Sequence, residues 1–120
     1  MAEEFLRHLK TVLDQSLLEA KLLIRLSLDE QLLWRKHLVE DALGLLRLKK
    51  EAMKSFNALD RKRRRLQKRS EECLDDGSSL AVDCQRKLDA LRCCSAYLHL
   101  ISRNTIMLAG RALNGQRRQH

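Results

Sequence analysis

Proline is absent from this 120-residue chain, and glycine occurs only four times, at Gly44, Gly77, Gly110 and Gly115. Sheets, hairpins and long loops depend on those residues for their turns, so a β-rich or loop-rich fold is excluded. Aromatic side chains make up 3% of the chain. That is too few for the stacking platforms on which single-stranded nucleic acids are held. A core must therefore be built from leucine, with Phe5, Trp34, Phe56 and Tyr97 as isolated large fillers. Long apolar runs are missing too. The leucine-rich stretches 17–28 and 32–48 are interrupted by Lys21, Arg25, Asp29, Arg35, Lys36, Glu40 and Asp41, well short of the roughly 20 apolar residues of a membrane span. The first residues, Met-Ala-Glu-Glu-Phe-Leu-Arg, have neither the apolar run of a secretory signal nor the acid-poor character of a transit peptide. The expected location is nuclear or cytoplasmic, inside the cell.

Leu, Ala, Arg, Lys, Glu and Gln, all strong helix formers, dominate the composition. In the first segment Leu6, Leu9, Leu13, Leu17, Ala20 and Leu23 or Ile24 recur at three- and four-residue steps, which predicts a helix over about 3–26 with one buried stripe. Ser27-Leu28-Asp29-Glu30 reads as a capping box that starts a second helix; a helix continuing through Ser27 is the alternative. No strong breaker follows before Asp75-Asp76-Gly77-Ser78-Ser79, so the second helix spans about 28–74, with Gly44 or Asn57 as places for a kink. After a turn at 75–79 comes a third helix over about 80–113, with Cys84, Leu88, Leu91, Cys94, Leu98, Ile101 and Leu108 on one face. Asn114-Gly115 reads as its C-cap, and 114–120 as a frayed tail. The expected fold is a single all-α domain: an elongated three-helix protein, an antiparallel hairpin of the second and third helices plus an N-terminal helix, packed like a coiled coil.

The apolar residues of 17–48 spread over more than one stripe. Soluble proteins leave few such surfaces in water unless a partner covers them. Leu17, Leu23, Leu33, Trp34, Leu38 and Leu46 are accordingly expected to meet partner helices, in a homodimer or in a heteromeric complex. The strongest local signal is the run Arg61-Lys62-Arg63-Arg64-Arg65-Leu66-Gln67-Lys68-Arg69, seven cations in nine positions. Residues 1–60 carry ten Lys and Arg against ten Asp and Glu, and 61–120 carry fourteen against six. The whole excess of +8 thus lies in the second half. Arg61, Lys62, Arg63, Arg64, Arg65, Lys68 and Arg69 suit a nuclear-import address or a helix that reads phosphates.

Catalytic and metal-binding classes find little support. Cys73, Cys84, Cys93 and Cys94 are separated by ten, eight and no residues, unlike the close pairs of zinc sites. They read as reduced thiols, with Cys84 and Cys94 in the buried stripe as small hydrophobes. His8, His37, His99 and His120 are scattered, and adjacent acidic pairs such as Glu71 and Glu72 diverge on a helix, so no acid–base arrangement is assembled. No catalytic residue, cofactor, metal or small-molecule substrate is expected. The octapeptide Asp83-Cys84-Gln85-Arg86-Lys87-Leu88-Asp89-Ala90 resembles a segment of tubulin-binding cofactor A, a small three-helix chaperone; the resemblance covers eight residues, and no function is carried over from it. The function expected from the sequence is that of a non-enzymatic interaction subunit, assembling through amphipathic helices in a nuclear or nucleocytoplasmic complex. The alternative is a helical protein that sets 61–69 against nucleic-acid phosphates.

Overall fold

A computed structural model describes the backbone of residues 2–75 and 77–119 and the side chains of 3–75 and 77–115. Three helices account for almost all of it: α1 (Ala2–Arg35), α2 (Val39–Leu74) and α3 (Ser79–Gln119). They form an elongated bundle measuring 64 × 20 × 17 Å. The all-α, three-helix expectation holds, but the centre of the bundle lies elsewhere. α1 packs along both α2 and α3, whereas α2 and α3 approach each other sparsely. The hairpin of α2 and α3 is therefore held together mainly through α1, not by direct packing.

The reason lies in α1. Leu6, Leu9, Leu13, Ser16, Ala20, Leu23, Ser27, Glu30 and Trp34 are all buried, at alternating steps of three and four. This is a 3.5-residue repeat that runs unbroken through Ser27. Breaking the helix there would separate Leu23 from Trp34 and expose both. The capping-box reading is thereby corrected: Ser27 is a core position, and Glu30 turns to Trp34 and Lys49 instead of reaching back. The real break comes nine residues later. His37 takes a left-handed conformation with φ of 58°. Its amide donates to the Trp34 carbonyl at 3.1 Å, and the Leu38 amide donates to the Leu33 carbonyl at 3.0 Å. This pair of bonds is a Schellman C-cap with histidine where glycine is usual. α2 then starts at Val39 with Glu40 and Asp41 in its first turn, where carboxylates meet the positive end of the helix dipole.

The second turn follows the sequence more closely. Gly77 has φ of 75°, a conformation that suits glycine, and Ser78 Oγ accepts from the Ala81 amide at 3.1 Å to cap α3. Asp76 lies outside the described residues. α2 passes through Gly44 and Asn57, and α3 through Gly110 and Gly115, without interruption; the expected end at Leu113 and the frayed tail give way to helix up to Gln119, with His120 outside the described residues.

The contacts set the direction of each helix. Cys84 Sγ donates to the Leu6 carbonyl and Gln31 meets Ile101 and Thr105, so α1 and α3 run parallel. Lys49 meets Glu30, so α2 runs antiparallel to both. Two apolar clusters result. One gathers Leu6, Leu9, Leu13, Cys84, Leu88 and Leu91; the other gathers Trp34, Val39, Ala42 and Ala112 near the opposite end. Beside the second cluster lies a polar belt. Gln31 Nε2 donates to the Ile101 carbonyl at 3.1 Å and to Thr105 Oγ1 at 3.2 Å. Trp34 Nε1 and Lys49 Nζ donate to the two oxygens of the buried Glu30 at 2.8 and 3.1 Å. The bonds of Gln31 to α3 and of Lys49 to Glu30 cross between helices and are satisfied in only one axial register, which is a service such groups perform in helical assemblies.

Candidate interaction groove and basic ridge

Because α1 holds α2 and α3 apart, a groove opens between them, with Glu30 and Trp34 of α1 in its floor at one end. At one end it is lined by Asp60 and Arg63 of α2 and by Leu88, Arg92 and Ser95 of α3. It continues past Met53, Phe56, Ser95, Leu98 and Ser102. It widens into a cleft of ≈ 350 Å³ bordered by Trp34, Leu43, Leu46, Ile106, Ala109 and Leu113. Ser95 and Ser102 each border two of these stretches, so the groove is continuous over about 30 Å, the rise of twenty helical residues. Its wide end is apolar and open: Ile106 is 72% exposed, Leu43 44% and Leu113 41%.

The residues assigned to partner helices from sequence divide in two. Leu23 is fully buried and Trp34 is 3% exposed, while Leu17 and Leu33 pack against the two internal clusters. The bundle itself covers these four, so the apolar surplus of α1 serves mostly the contacts with α2 and α3. Leu38 stays exposed at the turn, and Leu46 lines the cleft. Ile106, Leu113, Leu43 and Met53 were missed. The signal existed: on α3 the row Ser95, Ser102, Ile106, Ala109 and Leu113 repeats at helical spacing beside the stripe that faces the core. A further exposed row on α1, Leu18, Leu22, Leu28 and Leu32, is interspersed with the exposed charges Lys21, Arg25 and Asp29.

Of the seven cations of 61–69, one is not available. Arg63 Nε and Nη2 donate to Asp60 Oδ1 at 3.1 and 2.8 Å, and Nη1 donates to Gln67 Oε1 at 2.5 Å. With its side chain 17% exposed, it is a clamp on the α2 surface and is withdrawn from the basic patch. Arg64 touches the other oxygen of Asp60 at 3.0 Å yet remains 73% exposed. Arg61, Lys62, Arg65, Lys68 and Arg69 are exposed and make no ion pair among the described residues. Arg61, Arg64 and Arg65 surround a shallow depression. At 3.6 residues per turn, Arg61, Arg64, Arg65 and Lys68 line up with the exposed Arg47, Lys50 and Lys54. The basic run is thus the end of a ridge about 32 Å long, and this ridge forms the α2 rim of the groove.

The cysteines offer little chemistry. All four are free thiols, and Cys84 is fully buried. Burial pushes its thiol above the usual range, with nearby Lys87 opposing and Asp83 adding to the effect. A thiol held protonated in an apolar setting is a poor nucleophile and a poor metal ligand. Among the described residues no group of three or more His, Cys, Asp or Glu converges as metal ligands do, and no helix is long and apolar enough to cross a membrane. No family model, curated protein or solved structure matches the chain.

Proposed function

We propose that this chain is a non-enzymatic interaction subunit whose α2–α3 groove receives an amphipathic helix of another protein, within a nuclear or nucleocytoplasmic complex. The observation that carries this reading is the open apolar end of the groove, where Leu43, Leu46, Ile106 and Leu113 border one cleft. A helix laid there covers large apolar side chains that the bundle leaves in water, in the helix-in-groove manner. The unpaired cations of 61–69 supply the import address in the same reading.

Purification of the tagged chain from its native source, beside an Ile106→Asp variant, tests the proposal. One partner chain should co-elute in near-equal amount with the native chain and be lost from the variant, while circular dichroism and thermal midpoint stay unchanged because Ile106 is mostly exposed. A photo-crosslinker at Leu113 should join to that partner, and one at Arg86 on the outer face of α3 should not. A partner retained by Ile106→Asp, or crosslinked only from Arg86, overturns the proposal.

A further inference from the structure

We infer that the helix taken by the groove is acidic, carrying carboxylates on both sides of its apolar stripe; this inference rests on the groove being a docking site. Charge on the two rims carries it. The α2 rim presents Arg47, Lys50, Arg61, Arg64, Arg65 and Lys68 on one face. The α3 rim presents Arg103 and Arg92, the latter exposed but paired with Asp89 at 3.6 Å, and no carboxylate occurs anywhere in 90–120. The carboxylates that do border the groove are already engaged: Glu30 is buried against Lys49, and Asp60 holds Arg63 and Arg64. Glu51, exposed on α2, lies at the edge of the ridge, about 40° around the helix from Arg47, and is engaged by Lys54 of the ridge. Cations at three- and four-residue spacing along α2 repel one another, and acidic flanks on a bound helix would turn that repulsion into attraction.

Other occupants fit less of the surface. A second copy of this chain would bring cationic rim against cationic rim, and like charges juxtaposed across an interface are strongly disfavoured. A nucleic-acid duplex lying on the ridge would meet the cations and leave Leu43, Ile106 and Leu113 in water. An acidic amphipathic helix covers the cleft and neutralises the rims together, because Leu46 of the cleft and Lys50 of the ridge, one turn apart, lie on the same side of α2.

The test is selection by the purified full chain from a displayed library of helices about 24 residues long, enough to span the groove. Leucine is fixed at every third and fourth position, and the flanking positions are randomised among Glu, Gln and Lys. Enrichment of Glu over Lys on the order of ten-fold is expected, the sum of a few exposed charge pairs. The variant K50E/R61E/R64E/K68E, changed only at exposed positions, should invert that preference. Selected helices that show no charge preference yet lose binding to Ile106→Asp would leave the groove reading standing and overturn the acidic one. If no helix is retained, both fall. Tighter binding near physiological salt of a duplex of about 20 base pairs than of the selected peptide, lost in the same charge-reversed variant, would assign the ridge to nucleic acid and also overturn the inference.

Discussion

Cys84 and His37 show how much a single residue's setting changes its chemistry. With its Sγ buried against the Leu6 carbonyl, Cys84 should resist maleimide labelling in the native protein, whereas the exposed Cys93 should label first; mass spectrometry of a partly labelled sample checks the order. The raised thiol has a consequence for pH as well. The folded state holds the proton more tightly than the unfolded chain, so the contribution is fully present below the unfolded thiol's value, about 8.5, and declines as pH rises from there toward the folded value. Urea midpoints should therefore fall more steeply in the alkaline range for the native chain than for Cys84→Ala, and equal slopes would contradict the burial effect. His37 is a different case. A non-glycine residue in the left-handed region costs about 1–2 kcal/mol, so His37→Gly should raise stability by roughly 1 kcal/mol, less whatever packing its ring provides near Gly115. His37→Val should lower it, since a branched side chain is a worse fit there.

At the scale of the helix, Ser27 is the position where sequence and structure part. Local chemistry favours a cap there, but the Ser27 hydroxyl is buried without a hydrogen-bond partner, which a capping serine would have. Ser27→Ala should consequently be neutral or stabilising by up to about 1–3 kcal/mol, the cost of leaving such a group unsatisfied. Loss of a true N-cap would instead destabilise by about 0.5–2 kcal/mol. Thermal midpoints of the two proteins decide between them. The helical class and the turn around Gly77 were legible because each is encoded by neighbouring residues. The α1 break was hidden because its C-cap uses histidine in place of glycine, and the break at Ser27 was suggested by a motif whose meaning depends on a 3.5-residue repeat extending well beyond it. The groove was half legible. Leu46 and the cations of 61–69 stood out, but Ile106 and Leu113 gained meaning only once α1 was seen to stand between α2 and α3. Arg63 left the basic patch for a local reason instead, its carboxylate partner Asp60 lying three residues upstream on the same helix.

For the whole molecule, the opposition between an apolar cleft and its cationic rims gives a salt dependence of unusual sign. Exposed Leu43, Ile106 and Leu113 favour association of two copies, and the ridges oppose it. Salt weakens only the second effect: the screening length falls from about 10 Å at 0.1 M to about 3 Å at 1 M, while apolar burial is maintained or strengthened by many salts. The purified chain should scatter light as a 14.0 kDa monomer at low ionic strength and gain mass as salt is added, the reverse of an oligomer held by ion pairs. Substitutions separate this from misfolding. Leu23→Asp places a charge at a fully buried position and should unfold the bundle. Ile106→Asp should leave helicity intact and abolish the salt-induced gain in mass, because its side chain projects into the cleft and supports little of the core. The charge-reversed ridge should remove the low-salt barrier, because reversed α2 rims attract the remaining α3 cations, so that mass is gained already at low salt and the difference from the native chain vanishes as salt screens the charges. A stable dimer at low salt that is indifferent to Ile106→Asp would place self-association on some other face, the exposed α1 row of Leu18, Leu22, Leu28 and Leu32 being the one to test next by Leu22→Asp.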